Sequence, residues 1–329
     1  MSPVLVVGAT GQLGTAVIDR LAAAGQRVRA LVRPTSPRAF STDGGGVELA
    51  FGDLREVESL VSACRGMTTV VATANAVVPR GGSRFEPVEG TGYENLLDAC
   101  KAEGVRRIVF MSVDETPHDA AVTTFRLKRR IEERIRASGL AHSIFRGSLF
   151  MDDWFALMGS SIPLRGAKAH TLLRPFWFPK AFLAMSGTLI ERRGIALVPG
   201  TGKARHAFVA LDDVAAILAA AAAAPEDGEN LVANVGGPEV LSWEDAVAIF
   251  SRVLGRPLKT IRTPAGVYRV LADLLEPFSP PAANLMAMSW LTAICDSAFD
   301  GAPAARRFGV RLTSAEEFLR AKAGLPEEA

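Results

Sequence analysis

Val4-Leu5-Val6-Val7 runs directly into Gly8-Ala9-Thr10-Gly11-Gln12-Leu13-Gly14, and an amphipathic pattern follows at once. A buried strand, a tight glycine turn and a helix within some twenty residues leave few folds open. Gly8 permits the turn, Gly11 lets the backbone approach a pyrophosphate, and Gly14 lets the helix lie close to the strand. Thr10, Gln12 and Leu13 sit where the helix begins, with free N–H groups and the positive end of the helix dipole directed at phosphate. A purely structural glycine turn is the alternative. The context on both sides favours dinucleotide binding by residues 1–55.

The same unit then repeats. Strand patterns occur at residues 4–7, 27–32, 47–51, 69–73, 107–111 and 143–145, with helical patterns at 12–24, 57–63, 90–103 and 123–138 between them. Continuous apolar strands, each followed by a helix, require a parallel sheet covered on both faces. Right-handed crossovers then make a doubly wound α/β sheet of Rossmann type. Gly25, Gly104 and Gly139 stand where three of the helices should stop. Beyond residue 150 the alternation loosens. Residues 151–205 carry prolines, glycines and aromatics without clean periodicity, which suits a substrate lid. Order returns at 207–209, a helix opens at Asp212-Asp213, and 231–235 has a strand pattern. Ser242 should cap a further helix with Asp245 in its first turn, and the remainder to Leu319 should be mostly helical. The expected organisation is a dinucleotide-binding domain over residues 1–150 and a smaller, mostly helical substrate subdomain over 151–329, with 207–235 returning to the core.

Composition excludes several functions. Of 329 residues 22% are charged and 49% hydrophobic, with a net charge of +2, so there is no electrostatic case for nucleic acid or an anionic membrane. The apolar runs at 215–224 and 176–190 are too short or too interrupted to span a bilayer, and the short, non-basic stretch Met1-Ser2-Pro3 before the first strand is not expected to act as a signal sequence. Cys64, Cys100 and Cys295 have no metal-ligand spacing. The expectation is a cytoplasmic protein, a monomer or homodimer, acting on a small molecule.

The end of the second strand bears on the cofactor. NAD-preferring sites place a carboxylate there, whereas this chain has Val32-Arg33-Pro34-Thr35-Ser36 and no acid before Asp43. Arg33 can stack on adenine and pair with a 2′-phosphate, helped by Ser36 or Arg38, so NADP(H) is expected in preference to NAD(H). Gly52-Asp53-Leu54 fits an adenine-edge contact, or else an ordinary turn capped by Asp53. Thr73, Ala74 and Asn75 should lie along the pyrophosphate and nicotinamide ribose.

These residues together resemble the atypical short-chain dehydrogenase/reductases, and within them the NmrA-like branch. Residues 92–99, Val109-Phe110-Met111-Ser112, Arg146-Gly147-Ser148-Leu149-Phe150 and 208–215 extend the likeness, which covers residues 3–255. The resemblance implies that Gly147 joins the cofactor site. It also implies a Tyr-x-x-x-Lys pair on one helix face, the tyrosine moving the carbonyl proton and the lysine lowering its pKa. Here Lys128 is in place, but the tyrosine position is Thr124, whose hydroxyl is too weakly acidic to replace a phenol. Relatives that keep only the lysine imply that Lys128 moves the proton, with Ser112 orienting the substrate. The plain alternative is a surface lysine within the basic run Arg126–Arg130, paired to Glu132.

His142 should be a packed core residue, and His118 precedes the Lys128 helix; neither these nor His170 and His206 offer better machinery. Phe150, Met151, Trp154, Phe155, Met158, Phe176, Trp177, Phe178 and Phe182 would suit a flat hydrophobic, aromatic substrate, or are simply core or an oligomer interface. The sequence therefore points to an NADPH-dependent oxidoreductase acting on a hydrophobic aromatic carbonyl, enone or quinone. A non-catalytic NADP(H)-sensing regulator is the rival, and an epimerase-like isomerase a third possibility.

Overall fold

The computed structural model describes residues 2–34, 36, 40, 46–78, 85–224 and 230–326. Its elements in chain order begin with β1 (Val4–Val7), α1 (Gln12–Ala23), β2 (Val28–Val32), β3 (Val47–Phe51), α2 (Val57–Cys64) and β4 (Thr69–Ala72). Then come α3 (Thr91–Ala102), β5 (Arg107–Val113), α4 (Thr123–Ala137), β6 (Ala141–Gly147), α5 (Met151–Leu157), α6 (Trp177–Ser186) and α7 (Leu189–Arg193). The chain continues through β7 (Ile195–Pro199), β8 (Arg205–His206), α8 (Leu211–Ala223), β9 (Leu231–Val235), β10 (Leu241–Ser242) and α9 (Trp243–Val253). It closes with β11 (Lys259–Thr263), α10 (Ala265–Leu275), α11 (Pro280–Ile294), α12 (Ala302–Arg307) and α13 (Ala315–Ala323).

Seven strands form one sheet in the order β3-β2-β1-β4-β5-β6-β9, and the pairs from β3 to β5 all run parallel. The strand order reverses across β1 and β4, so the turns leaving these two strands flank the crevice where such sheets take ligands. The expected Rossmann-type α/β fold is present. Gly25, Gly104 and Gly139 follow their helices with φ of 72°, 69° and 80°, a left-handed conformation that ends a helix cheaply only at glycine. From β1 to β6 the observed element ends match those expected or differ by one or two residues, β5 running two residues further at its end and β6 two further at each end, and α3 is preceded by a π-helical turn over Glu86–Gly90.

The chain divides into two compact units. The first comprises Met1–Val113, Thr123–Arg146 and Val214–Ala233. Its core packs Leu5, Val7, Val70, Ala72, Ile108 and Phe110 of the sheet against helical residues such as Leu60, Leu96 and Ile131. Tyr93 and Phe110 meet edge to face at 5.4 Å in this layer.

The second unit comprises Asp114–Val122, Gly147–Asp213 and Asn234–Ala329. Its helical content was expected, but the parallel pair β7–β11 was not, because neither strand alternates and the two lie some sixty residues apart. Met151, Phe155 and Met158 are buried in its core beside Phe208, Trp243 and Phe250, while Trp177 is 55% exposed. Part of the aromatic segment is therefore core. Ser242 caps α9 in a reciprocal capping box with Asp245, as the sequence leads one to expect. Asp152 accepts the Leu211 amide at 3.0 Å and so caps α8. Asp213 accepts from both the backbone and side chain of Thr313.

Candidate functional site

The glycine loop is built as a close backbone approach. Gly8 has φ +88°, and a Cβ there would lie 2.6 Å from the Ala74 nitrogen. A Cβ on Gly14 would lie 2.2 Å from the Gly8 carbonyl oxygen. Only glycine at both positions lets α1 start directly behind the ends of β1 and β4. Gly11 occupies the N-cap with no side-chain hydrogen bond to the first turn, so the leading amides of α1 are not capped from the chain at that residue. Thr15 Oγ1 donates to the Ala9 carbonyl at 3.1 Å, and Thr73 Oγ1 to the Val7 carbonyl at 3.1 Å; these bonds hold the loop's shape. Gln12 and Leu13 are buried, and Thr10 is half-buried.

Arg33 follows β2 and is half-buried. Its charge helps to hold the Asp53 carboxyl below its ordinary value, although the hydrogen bond from Arg55 does most of this. Asp53 is clamped by Arg55 through two bonds of 2.9 and 2.8 Å, so its acceptors already have a partner. Leu54 is buried, and its carbonyl accepts from Asn95 at 3.0 Å. Ser36 is described, whereas Thr35, Arg38 and Asp43 lie outside the described residues. After β4, Thr73 is buried, Ala74 half-buried and Asn75 exposed, and Tyr93 Oη donates to the Ala74 carbonyl at 2.8 Å.

Lys128 is not a surface residue. It is 4% exposed, its Nζ donates to the Met111 carbonyl at 3.2 Å, and it stands 4.7 Å from the Phe110 ring centroid. The carboxylate beside it belongs to Glu89, 3.7 Å away. Burial lowers the Lys128 pKa, opposed by Glu89. Thr124, one turn earlier on α4, is 2% exposed. Ser112 Oγ, at the end of β5, donates to Glu132 Oε1 at 2.6 Å. Glu132 is 1% exposed and also takes Arg146 at 2.7 Å, Arg136 at 3.0 Å and Arg129. Burial works against its charge, yet the bonds from Arg146, Ser112 and Arg129 outweigh burial and keep the carboxyl below its ordinary value.

Gly147 ends β6 in the second unit, where its carbonyl accepts the Asp114 amide at 3.1 Å. His142 is buried with Nδ1 against the Leu140 carbonyl, as expected of a core histidine. His118 is exposed and rests edge to face on Trp290 in the second unit. Among the described residues no cluster of histidine, cysteine or carboxylate could hold a metal, and no helix is long and apolar enough to cross a membrane.

The residues that sequence reasoning missed are Glu89, Tyr93 and Glu132 as working partners. Glu132 was visible only as an i+4 neighbour of Lys128. Glu89 lies 39 positions from its lysine and carried no local signal.

A parallel sheet whose order reverses beside a glycine loop defines a Rossmann-type α/β protein. The chain belongs to the NmrA-like family, whose model matches residues 1–298. It is 30% identical over 289 residues to the (4-alkanoyl-5-oxo-2,5-dihydrofuran-3-yl)methyl phosphate reductase of Streptomyces griseus subsp. griseus, covering 87% of this chain and 85% of that one. The photosystem II assembly factor Ycf39 of Cyanophora paradoxa is 33% identical over 143 residues, only 44% of each chain. In structure the chain is similar to the Citrobacter sp. triphenylmethane reductase complexed with NADP(H), with a TM-score of 0.72 at 18% identity over 98% of this chain and 100% of that one.

Proposed function

We propose that this chain is an NADPH-dependent reductase of a hydrophobic, aromatic carbonyl, enone or quinone, in which Lys128 handles the proton. The observation that carries the reading is Lys128 itself, buried at 4% exposure on α4 with its Nζ at the Met111 carbonyl. A lysine that burial pushes below its ordinary pKa gives up a proton more readily than a surface lysine. Threonine at 124 leaves no phenol to do this work on the same helix face.

The fit of the cofactor rests on the loop. Gly8 and Gly14 stand where no side chain fits, and the tight turn they permit leads straight into the N-terminus of α1, the end of a helix that favours a pyrophosphate. Arg33, directly after β2, would take a 2′-phosphate and supports NADP(H) over NAD(H), since no carboxylate occurs between residue 33 and Asp43. Thr73, Ala74 and Asn75 would follow the ribose toward the reacting end. NADPH, when bound, supplies the hydride. Ser112 contributes by fixing Glu132 and with it the register of α4 against β5, since its hydroxyl hydrogen is already given to that carboxylate. The likeness to a curated reductase along most of both chains supports the reaction class.

Consumption of NADPH against a panel of quinones, enones and aromatic ketones tests the reading, with Lys128→Met alongside. Turnover lost in Lys128→Met with NADPH binding retained supports it, and full turnover in that variant removes Lys128 from the chemistry. Thr124 in the tyrosine position favours a second reading, an NADP(H)-binding sensor. Tight NADPH binding with no turnover of any substrate in the panel would establish that reading instead.

A further inference from the structure

Glu89 is an expensive residue to keep. It is 0% exposed, its Oε1 accepts the Ala76 amide at 2.7 Å, and among the described residues its Oε2 has no hydrogen-bond partner. A buried carboxylate left so incompletely satisfied opposes folding unless a charge compensates it. Lys128 Nζ lies 3.7 Å from that oxygen. Glu89 also sits on the π-helical turn Glu86–Gly90, an irregularity that re-aims a side chain by inserting one residue into a helical repeat. The turn carries the carboxylate to both the strand end after β4 and the lysine on α4.

We propose that Glu89 is the positioning residue of Lys128, holding its ammonium in place and setting the pH at which it loses its proton. The inference rests on the reading of Lys128 given above. Its geometric basis is independent of that reading, because the same carboxylate bonds the backbone two residues beyond Ala74 and lies 3.7 Å from the lysine. Other groups near Lys128 do not substitute for it. Glu132 is engaged by Ser112 and three arginines, Arg129 is a like charge, and the Tyr93 phenol is buried with its pKa raised well above ordinary, so it remains neutral. Burial raises the Glu89 pKa and lowers that of Lys128, so the two groups move toward each other and compete for one proton.

The test reads Lys128 directly, in the full chain without added cofactor. Lysine labelled with 13C at Cε is titrated by NMR, with the Lys128 signal assigned by its loss in Lys128→Met. In Glu89→Gln the Lys128 midpoint should fall by about one unit or more relative to wild type, the loss of a counter-ion in a low-dielectric site. The basic limb of the NADPH-turnover profile should move with it, lowering turnover about tenfold on the alkaline side and little on the acid side, with NADPH affinity unchanged. Coincident Lys128 midpoints in wild type and Glu89→Gln overturn the proposal. Should Glu89→Gln not fold, Glu89→Asp gives the same readout, since retracting the carboxylate must still shift the midpoint. Loss of turnover in Lys128→Met with unmoved midpoints sinks Glu89 alone. Wild-type turnover in Lys128→Met sinks the catalytic reading and leaves the NMR shift to decide the pairing.

Discussion

Ser112 Oγ donates to Glu132 Oε1 at 2.6 Å, joining the end of β5 to the middle of α4. Around that carboxylate Arg146 comes from β6 and Arg129 and Arg136 from α4 itself. Three elements of the first unit thus depend on one buried anion, and Lys128 sits one turn earlier on the same helix.

Glu132→Ala should therefore destabilise the protein by about 3–5 kcal/mol, because it strands partly buried guanidinium groups and the Ser112 hydroxyl. Urea denaturation measures the loss. A change below about 1 kcal/mol would show that solvent replaces the carboxylate without penalty.

The loop glycines separate binding from folding. Gly8→Ala and Gly14→Ala should raise the Kd for NADPH more than tenfold, since each new Cβ meets backbone at 2.6 or 2.2 Å. Gly104 also has positive φ, +69°, but open space around it. Gly104→Ala should cost about 1–2 kcal/mol of stability and leave NADPH affinity alone. Fluorescence titration of NADPH beside thermal melts distinguishes the two effects.

Arg33→Ala should weaken NADPH by about tenfold or more, the loss of a charge-assisted bond worth about 1.5–3 kcal/mol, and leave NADH almost unchanged. Isothermal titration with both nucleotides checks it. Tighter binding of NADH than of NADPH by the unmodified protein would refute the assignment of Arg33 to the 2′-phosphate.

Acid sensitivity should come in part from the second unit. Burial pushes the imidazoles of His170 and His206 down to about 4, against the hydrogen bond that His206 Nε2 makes to the Thr292 carbonyl and against the carboxylate and carbonyl of Asp152 near His170. A folded value below the unfolded 6.5 means the unfolded chain binds more protons between pH 6.5 and 4. The stability these histidines contribute is complete above that window and lost as pH falls through it, by about 3 kcal/mol each. The urea midpoint should drop across this range. By NMR both rings should remain neutral down to about pH 5, and a ring protonating near its ordinary value would contradict the burial.

The division between what was readable and what was not follows sequence distance. The glycine loop, the parallel strands from β1 to β6, the helix stops at Gly25, Gly104 and Gly139 and the Ser242 cap are local, each set by residues within a few positions of one another. Placement of Lys128 on a helix with Thr124 one turn away is local too. The β7–β11 pair was not legible, since pairing between distant segments leaves no periodic mark on either. Nor did any short-range pattern show that Lys128 would be buried against Glu89 rather than paired to Glu132 on its own helix. That choice depends on which carboxylate the packed sheet and the π-helical turn bring beside the ammonium, and on four other donors claiming Glu132 first. The chain's sequence by itself determined the strand, glycine turn and helix start of residues 4–14; the tertiary structure alone decided which charge answers the lysine, because burial and partner choice are properties of packed elements and not of spacing.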